Sequence, residues 1–600
     1  MPLTNDDRRW LAILALSLIL GLAASWQRWA GPVIDSGREM NQPLRLASGE
    51  RLYADVGHIY GPLSPYLHAA LYRLFGPSLT ILYASGIVSA IAIVALVYVL
   101  GRRLMDPRAA GIAALTMMWL CTFKPAGNYI VPYAYSALHG TLLALATLTV
   151  AARALARPSL ARFACAGVLA GAAVLAKTEM GLAALSAGLA AAWLAPPGGM
   201  RPRLSRALVF AGCAAALAGA MYAWIAAQVG WQTLIIDSWL LGYNVPPPLE
   251  FFNAGLLGFD HPFASLARMV AAAVKLAAIA AIVGAASYLA AGPPRAAARA
   301  RWTLVAALAG IAILSVTTGL DWDRGPFLAM PLLLVALLVR SAPPRSGTDR
   351  LVVLYSVFAL VHLARVILHV RSGGAYGSFL LPVSIVLFTY AWVGPFAESL
   401  PDAAARRAVT SIALSLLLVS AIGTAVVLAY RYRRANTVAV SAPRGTMIVP
   451  PAIGTAWNDA LAFIGTRTRP GEFIAVLPEG TSLTFLSERR NPLREEIATP
   501  GFLEGVREER AIEALDRSRT RLILIVNRAT REFGAESFGR DYSRRLMAWI
   551  EAHYAPCATF GAQDPGLKVG DRPFFVRAYC WSGADDQRVG GGSAASGIPR

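Results

Sequence analysis

The chain has 600 residues, of which 56% are hydrophobic and 15% charged, whereas a soluble globular protein carries charge on roughly a quarter of its residues. That balance excludes an ordinary soluble enzyme and makes lipid the expected solvent. The formal net charge of +20 invites a nucleic-acid reading, but the arginines stand in short clusters between apolar runs and form no basic groove or arm, so no nucleic-acid partner is expected.

The first apolar run, 11–29, follows Asp6 and Asp7, which weaken a signal-peptide n-region, and no small-residue cleavage site comes after it. It is read as a retained span. Runs long enough to cross a hydrocarbon core of roughly 30 Å recur at 79–100, 109–123, 137–155, 162–176, 179–195, 207–229, 268–291, 302–319, 327–340, 351–368, 379–394 and 408–430. A bilayer forces backbone hydrogen bonds to close internally, so these runs are predicted helices. The expected fold class is an all-α polytopic transmembrane bundle of about 13 helices with a small C-terminal extracytoplasmic α/β domain. Residues 1–435 form the membrane module, with 30–78 as its first extracytoplasmic loop, 436–585 form the soluble domain, and 586–600 a disordered tail rich in Gly and Ser.

Orientation follows from the arginines. The connections bearing Arg102, Arg103 and Arg108, Arg153 and Arg157, Arg201, Arg203 and Arg206, Arg295, Arg299 and Arg301, Arg340, Arg345 and Arg350, and Arg406 and Arg407 alternate along the chain, and the positive-inside rule puts them in the cytoplasm. The remaining loops, that of Asp35 included, then face outward across a bacterial inner membrane, and an odd span count leaves the C-terminal domain in the periplasm. Three arginines between Tyr430 and Arg434 run against the rule, which long translocated domains override.

In the C-terminal part, Phe473–Leu477 and Arg521–Val526 read as strands among helical patterns near 455–466, 509–517 and 542–553. Cys557 and Cys580 lie in this part, either as a disulfide in an oxidising compartment or as two ordinary thiols. The chain shows no internal repeat of the kind that builds secondary carriers.

The loop after the first span is long enough to imply function. Asp35 follows an apolar helix directly, with Glu39 one helical turn on. Such paired carboxylates raise each other's proton affinity and divide into acid and base; in a generic loop, Asp35 would simply cap a helix. Farther along come Asp35-Ser-Gly-Arg38-Glu39, then Ala47-Ser-Gly-Glu-Arg-Leu-Tyr-Ala-Asp55, then Tyr60-Gly-Pro-Leu-Ser-Pro-Tyr66 and the stretch to Gly76. This pattern resembles the first external loop of the GT-C superfamily of integral-membrane glycosyltransferases, in the group of protein O-mannosyltransferases, the lipid A aminoarabinose transferase and Rgt-type lipopolysaccharide transferases. Weaker echoes stand at Tyr376–Pro382 and Phe485–Pro492.

The resemblance implies a sugar donor on a polyprenyl phosphate, Asp35 as catalytic base, inversion at the anomeric carbon, membrane lipids as surroundings and an extracytoplasmic acceptor. Where the aminoarabinose transferase carries a Glu-Lys pair, this chain has Tyr60 and Gly61, which puts a divalent metal cofactor in doubt. Asp55 and His58 are near enough in sequence to stand in, and as readily serve a turn and a surface. The leaving phosphate needs a cation. Arg38, Lys124, Lys177, Arg324 and Arg371 are the outward-facing choices, and Tyr376 is a further substrate-binding expectation. Lys177 with Glu179 interrupts an apolar stretch, where an ionisable residue is costly, so it either binds substrate or closes a tight turn as an ion pair. An O-antigen polymerase or ligase and a lipid-linked-sugar flippase are the alternative functions.

Overall fold

The computed structural model describes residues 3–125, 127–196, 198–290, 325–371 and 376–582. They form two compact units, one of Met1–Gly31 with Glu39–Pro451 and one of Pro32–Arg38 with Ala452–Arg600.

The first unit is helical. Helix α1 (Asn5–Ser25) begins with a capping box in which Thr4 and Asp7 each accept the other's backbone N–H. Asp7 also accepts hydrogen bonds from the Tyr98 hydroxyl at 2.7 Å and Arg102 Nε at 2.6 Å, which ties this end to the last turn of α4 (Leu79–Gly101). Between them lie two shorter helices, α2 (Ser36–Ala47), strongly amphipathic, and α3 (Leu63–Phe75). There follow α5 (Pro107–Met117), α6 (Tyr135–Ala156), α7 (Leu160–Ala176), α8 (Thr178–Leu194), α9 (Met200–Val229), α10 (Pro247–Leu257) and α11 (Pro262–Ala290). After the undescribed stretch come α12 (Met330–Ser341), α13 (Gly347–Leu363), α14 (Pro382–Ala391) and α15 (Ala403–Ala435).

Among the described residues, six helical segments are long and apolar enough to cross a membrane. Their outward faces carry Leu16, Ile19, Leu20, Leu208, Val274 and Ile282, all exposed, the arrangement of a lipid-facing surface rather than a misplaced core. Small residues bring the helices together. A Cβ on Gly167 would lie 2.3 Å from the Phe210 carbonyl oxygen, and one on Gly171 2.7 Å from that of Ala214, so α7 and α9 pack backbone to backbone.

The first unit is thus helical, as the apolar runs predict, with local differences that have physical causes. The expected span at 109–123 ends in a π-turn, Met118–Thr122. The expected span at 379–394 is divided, because Pro382 starts α14 rather than continuing the preceding turn, and Pro395 falls in a π-turn after it. Residues 230–266 include α10, started by the proline run at 246–248. The expected span 302–319 and the expected tail 586–600 lie outside the described residues. The unit runs on past α15 into a hairpin of β1 (Val438–Ala442) and β2 (Gly445–Val449), held by Ile448 N–H donating to the Gln27 carbonyl at 2.8 Å and Tyr83 to that of Thr446 at 3.0 Å.

The second unit contains a four-stranded sheet in the order β3 (Ile474–Leu477), β4 (Leu522–Val526), β6 (Phe575–Trp581), β5 (Tyr554–Gly561). The first two strands are parallel and the rest antiparallel. All five residues of β4 are buried, as befits a strand covered on both faces. Ile523 and Ile525 face Ala511 and Leu515 of α17 (Val506–Arg517) and Leu546 and Ile550 of α18 (Arg544–His553). The preceding α16 (Pro451–Arg467) contributes the fully buried Trp457. Cys557 and Cys580 form a disulfide, so of the two readings open for these residues the structure takes the bridged one.

Candidate active site

Of the residues expected from the sequence, Lys177, Tyr60 and Tyr376 gather in a charged cluster in the first unit, and Asp35 and Arg38 in another in the second. In the first unit, Lys177 stands in extended conformation at the break between α7 and α8 and is 2% exposed. Gly61 determines what lies opposite. A Cβ there would meet the Leu175 carbonyl oxygen at 2.1 Å, so only glycine lets the 57–62 segment lie against the end of α7, which brings Tyr60 over the lysine. The ammonium donates to the Tyr133 hydroxyl at 2.6 Å and pairs with Glu179 at 2.8 Å. It also sits over the rings of Tyr60, Tyr133 and Tyr376, at 4.7, 5.0 and 5.2 Å from their centroids. A cation desolvated against aromatic faces gains about 2 kcal/mol or more. Burial alone would lower the lysine's proton affinity, but Glu179 and the tyrosines Tyr60 and Tyr376 outweigh it and hold the pKa above the usual lysine value. The side chain is a permanent cation.

A second cation, Arg365, adjoins the same ring. Its guanidinium carbon lies 5.9 Å from the Tyr376 centroid and Nη2 donates to Asn253 Oδ1 at 2.6 Å, while the buried Nε has no hydrogen-bond partner among the described residues. Lys177 and Arg365 against Glu179 leave one net positive charge, with an arginine donor still to be satisfied, and a phosphate supplies both. Sequence reading missed Arg365 because it lies inside an apolar run, three residues from the end of the expected span 351–368. An ionisable residue at that depth was itself the signal.

The other loop residues have local partners. Glu39, expected to share acid and base work with Asp35, accepts the backbone N–H of Tyr135 at 2.8 Å, at the start of α6, where no side chain from the N-cap residue does so. A carboxylate there compensates the helix dipole. His58 is buried, with Nδ1 2.9 Å from Gln42 Oε1 and Nε2 3.2 Å from the Gly61 carbonyl, which pins the 57–61 segment to α2. Asp55 accepts from Arg51 N–H at 2.8 Å and Nε at 3.0 Å and closes a turn; that pairing lowers its pKa. Lys124 is buried and Arg371 exposed, while Arg324 lies outside the described residues. Among the described residues, no group of three or more His, Cys, Asp or Glu is placed to hold a metal ion.

In the second unit, Asp35 precedes α2 in the left-handed conformation at φ 62°, a geometry that Asp tolerates better than most residues. Arg38 Nη2 is 3.4 Å from Asp35 Oδ1, with the arginine side chain 7% exposed and the carboxylate 27%. The segment is seated on the turn after β3. Ser482 Oγ donates to the Pro32 carbonyl at 2.7 Å and itself accepts from Trp457 Nε1 at 3.0 Å. A Cβ on Gly37 would come within 2.3 Å of the Ser482 backbone nitrogen, so glycine is required for the approach. Glu479, in that same turn, is 3% exposed and accepts from Arg528 Nε at 2.8 Å; Arg528 also pairs with Glu532. Burial pushes the Glu479 carboxyl up to about 7, with Asp35 adding to the rise and Arg528 and Arg38 opposing it. Sequence reading named neither Glu479 nor Arg528, although each stands two residues beyond a recognised strand, at the carboxyl ends of the parallel pair β3 and β4, where α/β sheets place their sites.

Comparison with known proteins follows this geometry. Residues 60–225 match the family model described as dolichyl-phosphate-mannose-protein mannosyltransferase. Among solved structures, ArnT from Cupriavidus metallidurans, bound to undecaprenyl phosphate, is similar with a TM-score of 0.51 at 12% identity, over 95% of this chain and 97% of that one. The chain shares the fold of that structure. The oligosaccharyltransferase AglB from Archaeoglobus fulgidus, in complex with an inhibitory peptide and a dolichol-phosphate, gives a TM-score of 0.45 at 12% identity, over 93% of this chain and 75% of that one. No curated protein matches the sequence significantly. Tyr60, Tyr133 and Lys177 all fall inside the stretch that the mannosyltransferase family model matches.

Proposed function

We propose that the chain is a glycosyltransferase that moves a hexosyl or pentosyl unit from a polyprenyl-phosphate donor to an extracytoplasmic acceptor, a lipid, polysaccharide or protein, with inversion. The observation that carries this reading is the caged Lys177, a permanent cation at a helix junction, inside the stretch matched by a family whose name includes a lipid-phosphate sugar. ArnT, whose fold this chain shares, was solved with undecaprenyl phosphate.

Each role follows from the chemistry of the residue. Asp35 takes the proton of the acceptor hydroxyl as that oxygen forms its bond to the anomeric carbon, and the bond from that carbon to the phosphate oxygen breaks with its electron pair leaving on the phosphate. Lys177 and Arg365 stabilise the charge that develops on the leaving phosphate, and Tyr376 and Tyr60 shape the cation's surroundings. Arg38 keeps Asp35 oriented and ionised, and Glu39, by capping α6, holds α2 in place. The disulfide and the outward loop assignment support a bacterial inner membrane location with a periplasmic C-terminal domain.

Binding of undecaprenyl phosphate to the purified full-length chain tests the donor class. Wild type should bind, and Lys177→Met should bind at least about tenfold more weakly, since hydrogen bonds to charged groups contribute about 1.5–3 kcal/mol. Equal binding by the two would remove Lys177 from the donor site.

A further inference from the structure

We propose that Glu479 is a positioning residue for the transfer reaction, whose charge sets how strongly Asp35 takes the acceptor's proton. This rests on the assignment of Asp35 as base. The geometry has three parts, all within the second unit. The segment bearing Asp35 is fixed on both sides of that residue to the turn that bears Glu479, at Pro32 by the Ser482 hydroxyl and at Gly37 by direct contact with the Ser482 backbone. The hydroxyl is aimed by the Trp457 indole N–H, so the seat is preorganised. Glu479 and Arg528 both follow the carboxyl ends of the paired parallel strands β3 and β4 and hold each other at 2.8 Å.

The groups facing Glu479 are Arg528, Asp35, Arg38 and Tyr542, with Glu532 acting through Arg528. Asp35 raises the proton affinity of Glu479 and Arg38 lowers it. Interaction between two titrating sites is reciprocal, so an ionised Glu479 raises the proton affinity of Asp35 and a neutral one leaves Asp35 to Arg38. Ionising Glu479 therefore strengthens Asp35 as a base. In the transfer step the proton leaves the acceptor oxygen for Asp35 Oδ, and Glu479 exchanges no atoms with substrate.

The test is the pH profile of transfer in membrane vesicles that contain the full-length chain with the lipids of its own host, read by mass spectrometry of the glycosylated product. Wild type should show a rate that climbs through neutrality. Glu479→Gln should lose that climb, with a several-fold deficit on the alkaline side and little change on the acidic side. Arg528→Gln, which leaves Glu479 in place without its main cation, should move the climb to higher pH, and it decides the matter if Glu479→Gln fails to reach the membrane. An unshifted profile in a folded Glu479→Gln or Arg528→Gln chain overturns the proposal while leaving Asp35 as base. Retained transfer by Asp35→Asn is the separate result that would remove the base itself.

Discussion

The two charged clusters solve the problem of a buried charge in opposite ways. Around Lys177, one carboxylate and three tyrosine rings surround the ammonium, and its charge does not change across any physiological pH. Around Asp35, two carboxylates meet two arginines, and burial brings Glu479 to titrate near neutrality. The difference matches the role proposed for each. A phosphate that is negative before and after the reaction needs a constant cation, whereas a base has to gain a proton and lose it again.

That contrast predicts crossed phenotypes. The largest effect belongs to Asp35→Asn, which should lower the transfer rate roughly 10²–10⁴-fold, the usual contribution of a general base, while undecaprenyl phosphate binding to the full-length chain stays unchanged. Lys177→Met should weaken binding most and, through the leaving phosphate, slow transfer as well, while leaving the shape of the pH profile alone. Loss of undecaprenyl phosphate binding by Asp35→Asn, or a shifted pH profile in Lys177→Met, would erase the distinction between a binding and a reacting cluster.

Smaller effects bear on the seat of Asp35. Gly37→Ala adds a Cβ 2.3 Å from the Ser482 backbone nitrogen, and overpacking of this kind costs roughly 1–3 kcal/mol. Thermal unfolding should register the loss, and transfer should fall although no charged group has been altered. Glu479 adds a pH dependence whose sign is fixed. Its pKa in the folded chain, about 7, lies above its ordinary 4.5, so between those values the native state binds the extra proton, and stability falls as pH rises through that window. Glu479→Gln should flatten this slope, by up to roughly 1.4 kcal/mol per pH unit, in denaturant titrations of the second unit's transition. A slope unchanged by the substitution would mean that Glu479 is ionised throughout. The smallest effect on function is expected from separating Cys557 and Cys580 by a Ser substitution, which should destabilise the second unit by about 2–4 kcal/mol without altering undecaprenyl phosphate binding.

The bundle was legible because helix formation in lipid is forced by the backbone, and runs of apolar residues announce it. Lys177 stood out for a different reason, since an ionisable residue that interrupts an apolar run is costly, whereas Asp35, Tyr60 and Tyr376 were singled out by a resemblance of the loops that carry them. What could not be read was partnership. Glu39 one turn from Asp35 suggested a carboxylate pair, yet its acceptor is used on the Tyr135 N–H, 96 residues away in sequence. Tyr133 meets Lys177 across 44 residues, and Glu479 meets Arg528 across 49. Periodicity reports which face of an element is buried, and says nothing about which distant residue faces it. Gly37 and Gly61 show the same limit, because in sequence a glycine required by a close approach looks like any loop glycine.

The central claim is that Asp35 drives transfer of a sugar off a polyprenyl phosphate. Its most direct test is mass spectrometry of total envelope extracts from a host lacking the chain, complemented either with wild type or with Asp35→Asn at equal membrane abundance. The account predicts that wild type restores one glycosylated product, whereas Asp35→Asn leaves that product missing and its polyprenyl-phosphate sugar accumulated. Restoration of the product by Asp35→Asn would contradict it.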